Sequence, residues 1–353
     1  MNSNEINLSS SPHSFFKLNT THTMLFVIIA LLPLCVKGVF LYGLSAFLVI
    51  LTSIVSCVAS EALFQLATKQ KIRVKDCSAI VTGILLALVC PPTVPLWQVA
   101  LGGVFAIIVA KEFFGGIGAN VFNPALAGRA FMFVSFPSTM GATWLTPAKA
   151  SAINFVEATS AATGAAATSA ATSAATGAVA TVAVSEPAVD AISSSTLLSR
   201  IGEAEFTAQN YWDFFFGNRA GCIGESSILL ILIAFVFLSV TRIIDWKTPL
   251  TMIGTVAIAT LLAGGNVLMS VMAGGLLFGA VFMITDYATT PVTMWGKLIF
   301  AFGCGLITFL IRQFGGYPEG VMFSILIMNA VAPFLNRLVP RKYGYGKPQK
   351  VGK

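Results

Sequence analysis

About ten stretches of mainly apolar sequence recur along the chain, most of them close to the length that crosses a bilayer, and this repetition constrains the fold more than any other feature. They run Met24–Val36, Gly38–Ser60, Ala79–Cys90, Leu96–Ala110 and Val121–Phe136, then Ser226–Thr241, Pro249–Ala263, Val267–Thr285, Thr293–Ile311 and Gly320–Leu338. Only 10% of the residues are charged, whereas a dissolved domain carries roughly 25%. The expectation is an all-α polytopic membrane protein with about ten transmembrane helices. Several spans are short enough to be re-entrant or broken.

The net charge of +7 is unevenly placed. Lys69, Lys71, Arg73 and Lys75 form one basic cluster, and Arg337, Arg341, Lys342, Lys347, Lys350 and Lys353 another. Both flank apolar runs, without the aromatic platform of a nucleic-acid groove, so a lipid bilayer is the expected partner and nucleic acid is not. With the N-terminus in the cytoplasm, both clusters fall inside together with Lys111, Arg242, Lys247 and Lys297. The chain then divides into a cytoplasmic N-terminus (1–23), a first membrane repeat (24–136), an extracytoplasmic segment (137–225), a second membrane repeat (226–338) and a basic cytoplasmic tail (339–353). The polar start, MNSNEINLSSSPHSFFKLN, does not read as a cleavable signal. The six cysteines are scattered, without a C-x-x-C pair, and read as small core residues, so no metal site is expected.

The two membrane halves echo each other. Cys90-Pro-Pro-Thr-Val-Pro-Leu-Trp97, Lys111-Glu-Phe-Phe-Gly-Gly116 and Asn123-Pro-Ala answer to Thr290-Pro-Val-Thr-Met-Trp295, Arg312-Gln-Phe-Gly-Gly316 and Asn329-Ala. Five spans per half make equivalent helices antiparallel, the inverted-repeat plan of transporters and channels. Between the halves, Ala158–Val184 is almost entirely Ala, Thr, Ser and Gly, which cannot build a core and reads as a linker. Gly115-Gly-Ile-Gly118 and Gly303-Cys-Gly305 follow or interrupt spans and read as close-packing glycines, not as a nucleotide fingerprint.

Polar groups inside or at the ends of spans are costly and mark pathways or interhelical contacts. Here they are Asn123, Arg129, Glu225, Asp245, Asp286, Arg312, Glu319 and Asn329. Gly116-Ile-Gly-Ala-Asn-Val-Phe-Asn123-Pro124 reads as a helix broken inside the membrane, with backbone groups freed for a buried ligand.

The run Lys111-Glu-Phe-Phe-Gly-Gly-Ile-Gly-Ala-Asn-Val-Phe-Asn-Pro-Ala-Leu-Ala-Gly-Arg129-Ala resembles a signature of the family shared by the D subunit of the Rnf complex and the B subunit of the sodium-pumping NADH:quinone oxidoreductase. Three further runs resemble it too: Arg312 to Asn329, Gly275 to Asp286, and Gly224-Glu-Ser-Ser227. The short N-terminal region favours the Rnf branch over the quinone-reductase branch. The resemblance implies a urea-transporter-like fold in a bacterial inner membrane. It also implies an FMN joined through its phosphate to a threonine in a pattern like Asp-(Gly/Ala)-x-(Ser/Thr)-x-Ala-Thr. Asp190-Ala-Ile-Ser-Ser-Ser-Thr196 matches, with Ser195 where Ala is usual, and selects Thr196 over Thr163, Thr172 and Thr176 of the linker. Asn123, Arg129 and Asp286 are further candidates for cofactor contact. No histidine neighbours Thr196 in the sequence to activate its hydroxyl, so a separate flavin transferase is implied. A second, non-covalent riboflavin is implied as well. So are the partner subunits A, B, C, E and G of the Rnf complex, and movement of Na+ or H+ driven by electron flow between ferredoxin and NAD+. The chain itself would be an electron relay in a redox-driven ion translocase, not catalytic alone. A subunit like that of the quinone reductase, or a urea-transporter-like solute channel, are the alternatives.

Overall fold

The computed structural model describes residues 20–69, 74–141, 212, 215–217, 221–272, 274–315 and 320–336. Among these residues the regular structure is helical, without strands. Four helices are long and apolar enough to cross a membrane: Thr20–Tyr42, Leu44–Ala67, Leu96–Phe114 and Met294–Phe314. Shorter apolar helices stand beside them at Ser78–Leu88, Ile228–Val240, Lys247–Leu262 and Val321–Leu335.

Helix α1 (Thr20–Tyr42) and α2 (Leu44–Ala67) form a hairpin with one residue between them. The expected break at Lys37 is corrected by this geometry, because Lys37 continues α1 and the chain reverses at Gly43. Gly43 has φ 68°, a left-handed value that glycine adopts without steric cost. Gly38, inside α1, gives room to the side chain of Ile223, whose Cγ2 would lie 2.5 Å from a Cβ placed there.

The next elements are short. Helix α3 (Ser78–Leu88) leads through Cys90-Pro91-Pro92 into α4 (Leu96–Ile108), and α5 (Pro124–Ser135) begins only after a stretch of turns. Gly115, Gly116 and Gly118 of that stretch all have positive φ, so the expected break before Pro124 is present. Asn123 then caps α5. Its Oδ1 accepts from the N–H groups of Ala125 (3.1 Å) and Leu126 (3.4 Å), and Pro124 occupies the first helical turn. A five-residue helix, α6 (Pro137–Gly141), follows.

In the second half, α7 (Ile228–Val240) and α8 (Lys247–Leu262) are regular. The continuous span expected at Val267–Thr285 is instead three pieces: α9 (Val267–Met272), α10 (Leu276–Phe278) and a π-turn at Gly279–Met283. Gly274 with φ 68° separates the first two. The π-turn closes with the Ile284 N–H donating to the Gly279 carbonyl at 2.9 Å. Helix α11 (Met294–Phe314) is capped by the Thr293 hydroxyl, which accepts from Gly296 N–H at 3.1 Å, and α12 (Val321–Leu335) closes the described bundle.

Small residues set the packing. α2 lies on α3 and α4, and α8 lies on α9 and α11, while α4–α5 and α11–α12 form further pairs. α1 joins the halves by packing on α7. A Cβ at Gly83 would sit 2.8 Å from the Cα of Ile54, and one at Gly305 would sit 2.8 Å from the Met252 carbonyl oxygen. Close backbone approach of this kind drives helix association where lipid is as apolar as the side chains. Outward-facing side chains such as Phe40, Val240 and Leu262 are exposed, as a lipid-facing surface requires.

Candidate functional site

The broken elements converge on a cavity of about 380 Å³. Its walls come from the start of α1, the length of α3, the turns before α5, the end of α7 and the π-turn with the residues after it. Met24, Val27, Leu85, Leu238, Val281 and Phe282 supply apolar surface. Ser78, Thr82, Lys111, Asn120, Asn123, Thr285 and Asp286 supply polar groups. Mostly apolar walls with a few convergent polar groups are the ordinary constitution of a small-molecule or cofactor site.

Each polar group is held by local bonds. The Asn123 Nδ2 donates to the Met283 carbonyl at 3.5 Å, tying the start of α5 to the π-turn. Asn120 accepts from Gly118 N–H at 3.2 Å and donates to the Phe122 carbonyl at 3.3 Å. Asp286 accepts from the Ala288 N–H (3.4 Å) and the Thr289 hydroxyl (3.2 Å). Amide and carboxylate oxygens retain acceptor capacity beyond these bonds, so the cavity can still meet a ligand's donors.

Lys111 joins this wall to a buried charge cluster. Its Nζ donates to Glu61 Oε1 and to Ser78 Oγ, both at 2.7 Å, and the side chains of Lys111 and Glu61 are 3% and 2% exposed. Gln65 Nε2 bridges Glu61 Oε1 (3.4 Å) and Glu112 Oε1 (3.5 Å). An ammonium in a bilayer interior needs such a counter-charge. Sequence reasoning places Lys111 among the cytoplasmic loop cations, and it leaves out Glu61, Gln65 and Glu112. The signal is available, since Glu61 is the single charged residue in the apolar run from Leu44 to Ala67.

A smaller void of about 10 Å³ is lined by Val89, Leu126, Arg129, Glu225, Gly275, Phe278, Met283, Val321 and Met322. The Arg129 Nη2 lies 3.6 Å from Cys222 Sγ. Residues 221–225 are drawn into the bundle, with Cys222 and Ile223 fully buried and the Ile223 N–H donating to the Cys90 carbonyl at 3.2 Å. The structure thus brings Asn123 and Asp286 to one cavity and sets Arg129 on the other void. Asp245 is half exposed and paired with Lys297, and Arg312 donates to the Ser270 carbonyl at 2.7 Å. Asn329 is not the counterpart of Asn123: it lies buried in the middle of α12, whereas Asn123 caps the start of α5. Thr196 and Glu319 lie outside the described residues, as do Thr163, Thr172 and Thr176.

Residues 7–344 match the model of the NQR2, RnfD, RnfE family. The D subunit of the Na(+)-translocating ferredoxin:NAD(+) oxidoreductase complex of Acetobacterium woodii is 38% identical over 99% of each chain. The D subunit of the proton-translocating ferredoxin:NAD(+) oxidoreductase complex of Clostridium ljungdahlii is 38% identical over 97% of each. The D subunit of the ion-translocating oxidoreductase complex of Stutzerimonas stutzeri is 37% identical over 92% of this chain and 93% of its own. The first two are equally similar and are named for different cations, so similarity does not select the ion.

Proposed function

Because the chain belongs to the NQR2, RnfD, RnfE family, we propose that it is the D-type membrane subunit of a ferredoxin:NAD+ oxidoreductase that couples electron transfer to movement of a monovalent cation. The observation that carries this reading is the end-to-end match to relatives named as that subunit. In this role the chain relays electrons and contributes to the ion path. It works with further subunits of the complex, which bind ferredoxin and NAD+.

The packing supports a membrane arrangement in two halves. α2 with α3 and α4, and α8 with α9 and α11, repeat one scheme, as do the α4–α5 and α11–α12 pairs. This supports about ten crossings in two inverted repeats, with the shorter helices completing crossings as broken or re-entrant elements. The basic clusters at Lys69–Lys75 and in the tail favour cytoplasmic termini. The Lys111–Asp286 cavity then opens from the cytoplasmic side, and the segment bearing Thr196 lies on the opposite face.

Two flavins fit this chain. Thr196 is the acceptor of a covalent FMN, on the strength of Asp190-Ala-Ile-Ser-Ser-Ser-Thr196. A tethered cofactor avoids the repeated entropic cost of capture, since its local concentration is fixed by the linkage. The second, non-covalent flavin suits the cavity: about 380 Å³ falls within the range of cofactor pockets, its walls are mainly apolar, and Asn120, Asn123 and Asp286 offer hydrogen-bonding edges. A bound flavin supplies electron transfer, and the chain's residues bind its ring, exclude water and fix its depth.

The test is in-gel flavin fluorescence of the denatured complex, expressed with its flavin transferase. A fluorescent band at this chain's mass in wild type, lost in Thr196→Val, is the expected result. The peptide Asp190–Arg200 should carry the mass of the attached flavin. A dark wild-type band, or full ferredoxin–NAD+ activity in Thr196→Val, would sink the covalent relay. Acid extraction should release a further flavin from the folded wild-type chain, and its absence would remove the cavity from the scheme.

A further inference from the structure

The cavity and the small void lie against three elements in common, each lending different residues to the two. On α3 and its end, Leu85 lines the cavity and Val89 the void; on α5, Ala125 lines the cavity and Leu126 and Arg129 the void. In the second half, Phe282 lines the cavity while Met283 and Phe278 line the void. The openings differ sharply, about 380 Å³ on one side and about 10 Å³ on the other. The smaller value barely admits one water.

Residues 224 and 225 pack at the void. A Cβ at Gly224 would sit 2.7 Å from Leu88 Cβ and 3.1 Å from the Phe278 ring, so this backbone fits only as glycine. Glu225 beside it is 2% exposed, and its carboxylate fits against Gly275, where a Cβ would lie 2.6 Å from Oε1. Arg129, 5% exposed, lines the same void. A carboxylate and a guanidinium buried at this depth are expensive for a purely structural element, and a bilayer-embedded ionisable group facing the bundle interior marks a pathway.

We infer that the Arg129–Glu225 level is the closed extracytoplasmic barrier of the cation path, and that Glu225 is the group that takes the cation there, as Na+ or as a proton on its carboxylate. The inference rests on the reading of the chain as an ion-translocating subunit. Arg129 sets the occupancy, since its positive charge balances that of Glu225 while the barrier is closed and competes with the arriving cation. Gly275 leaves the carboxylate the space to do this.

The test uses the whole complex in proteoliposomes, driven by reduced ferredoxin and NAD+. Cation uptake is measured per NADH formed, as radiolabelled sodium in one arm and as acidification in sodium-free buffer in the other. Glu225→Gln keeps the volume and removes the charge, and is expected to lower the ratio by about tenfold in whichever arm the wild type shows transport. Glu225→Asp should recover part of the ratio and shift the cation concentration or pH of half-maximal uptake. An undiminished ratio in Glu225→Gln would overturn the inference while leaving the functional reading intact. A wild type that moves neither cation removes the reading and the inference together. If Glu225→Gln does not assemble, Gly275→Ala keeps every charge and crowds Glu225 Oε1; a lowered ratio supports the inference and an unchanged one overturns it.

Discussion

The end of α4 and the end of α11 solve the same problem differently. Each brings a basic side chain back to a serine that follows the second helix of its half. At the first, Lys111 meets the Glu61 carboxylate and the Ser78 hydroxyl. At the second, Arg312 donates to the Ser270 carbonyl, and Thr260 Oγ1 stands 3.2 Å from Ser270 Oγ. Glu61 thus meets the basic group itself, whereas Thr260 meets the serine beside it. The exposure differs too: Lys111 is buried beside a carboxylate, whereas Arg312 is only partly buried. One end carries a buried ion pair, and the other a guanidinium hydrogen-bonded to a backbone carbonyl.

The largest effect should come from breaking the locked end. Glu61→Ala strands the Lys111 ammonium and is expected to cost about 3–5 kcal/mol. Glu61→Leu combined with Lys111→Met should recover most of that loss. Thermal unfolding midpoints of the complex in detergent compare the two. A Glu61→Ala midpoint equal to wild type would show that Lys111 finds water, and the contrast between the ends would collapse.

The glycines sharpen the comparison next. A methyl at Gly305 meets the Met252 carbonyl oxygen and Thr255 Cβ, both at 2.8 Å, so backbone must move. At Gly103 the first obstacle is the Ser56 hydroxyl, which can rotate away. Gly305→Ala should cost about 1–3 kcal/mol and Gly103→Ala less than about 1 kcal/mol, read by the same midpoints. The reverse order would mean that the α8–α11 contact is the looser one. The smallest effect is expected at Thr260→Val, about 1 kcal/mol, since one neutral hydrogen-bonding hydroxyl is lost and no charge is stranded. A loss as large as that of Glu61→Ala would show that Thr260 supports its end of the bundle as strongly as Glu61 supports the other.

These elements also show what the sequence could disclose. Apolar runs announced the helices, because hydropathy reports burial in lipid directly. It does not report where a helix stops when both neighbours are apolar. Gly43, not Lys37, ends α1 because a snorkelling lysine near a membrane surface is compatible with helix while a left-handed φ is not. The three-piece segment from Val267 to Met283 was hidden for the same reason, since its breaks expose no polar side chain. At the site, Asn123 and Asp286 were legible as polar residues out of place, and they do share a cavity. Their partner Lys111 was not, because a cation beside an apolar run reads as a loop residue until its carboxylate is seen. Arg129 reads with Asn123 because the two are only six positions apart, yet α5 carries it to the separate void.

Gly43 has a mechanical corollary. The two longest helices of the first half meet through a single residue, so neither can slide along the other, and the hairpin must tilt as one stiff lever. Its α1 arm leans on α7, while its α2 arm carries Glu61. Any rocking between the halves is therefore delivered to the lysine lock without slack. Splicing a few flexible residues at that joint would leave both rods standing and sever the linkage between them.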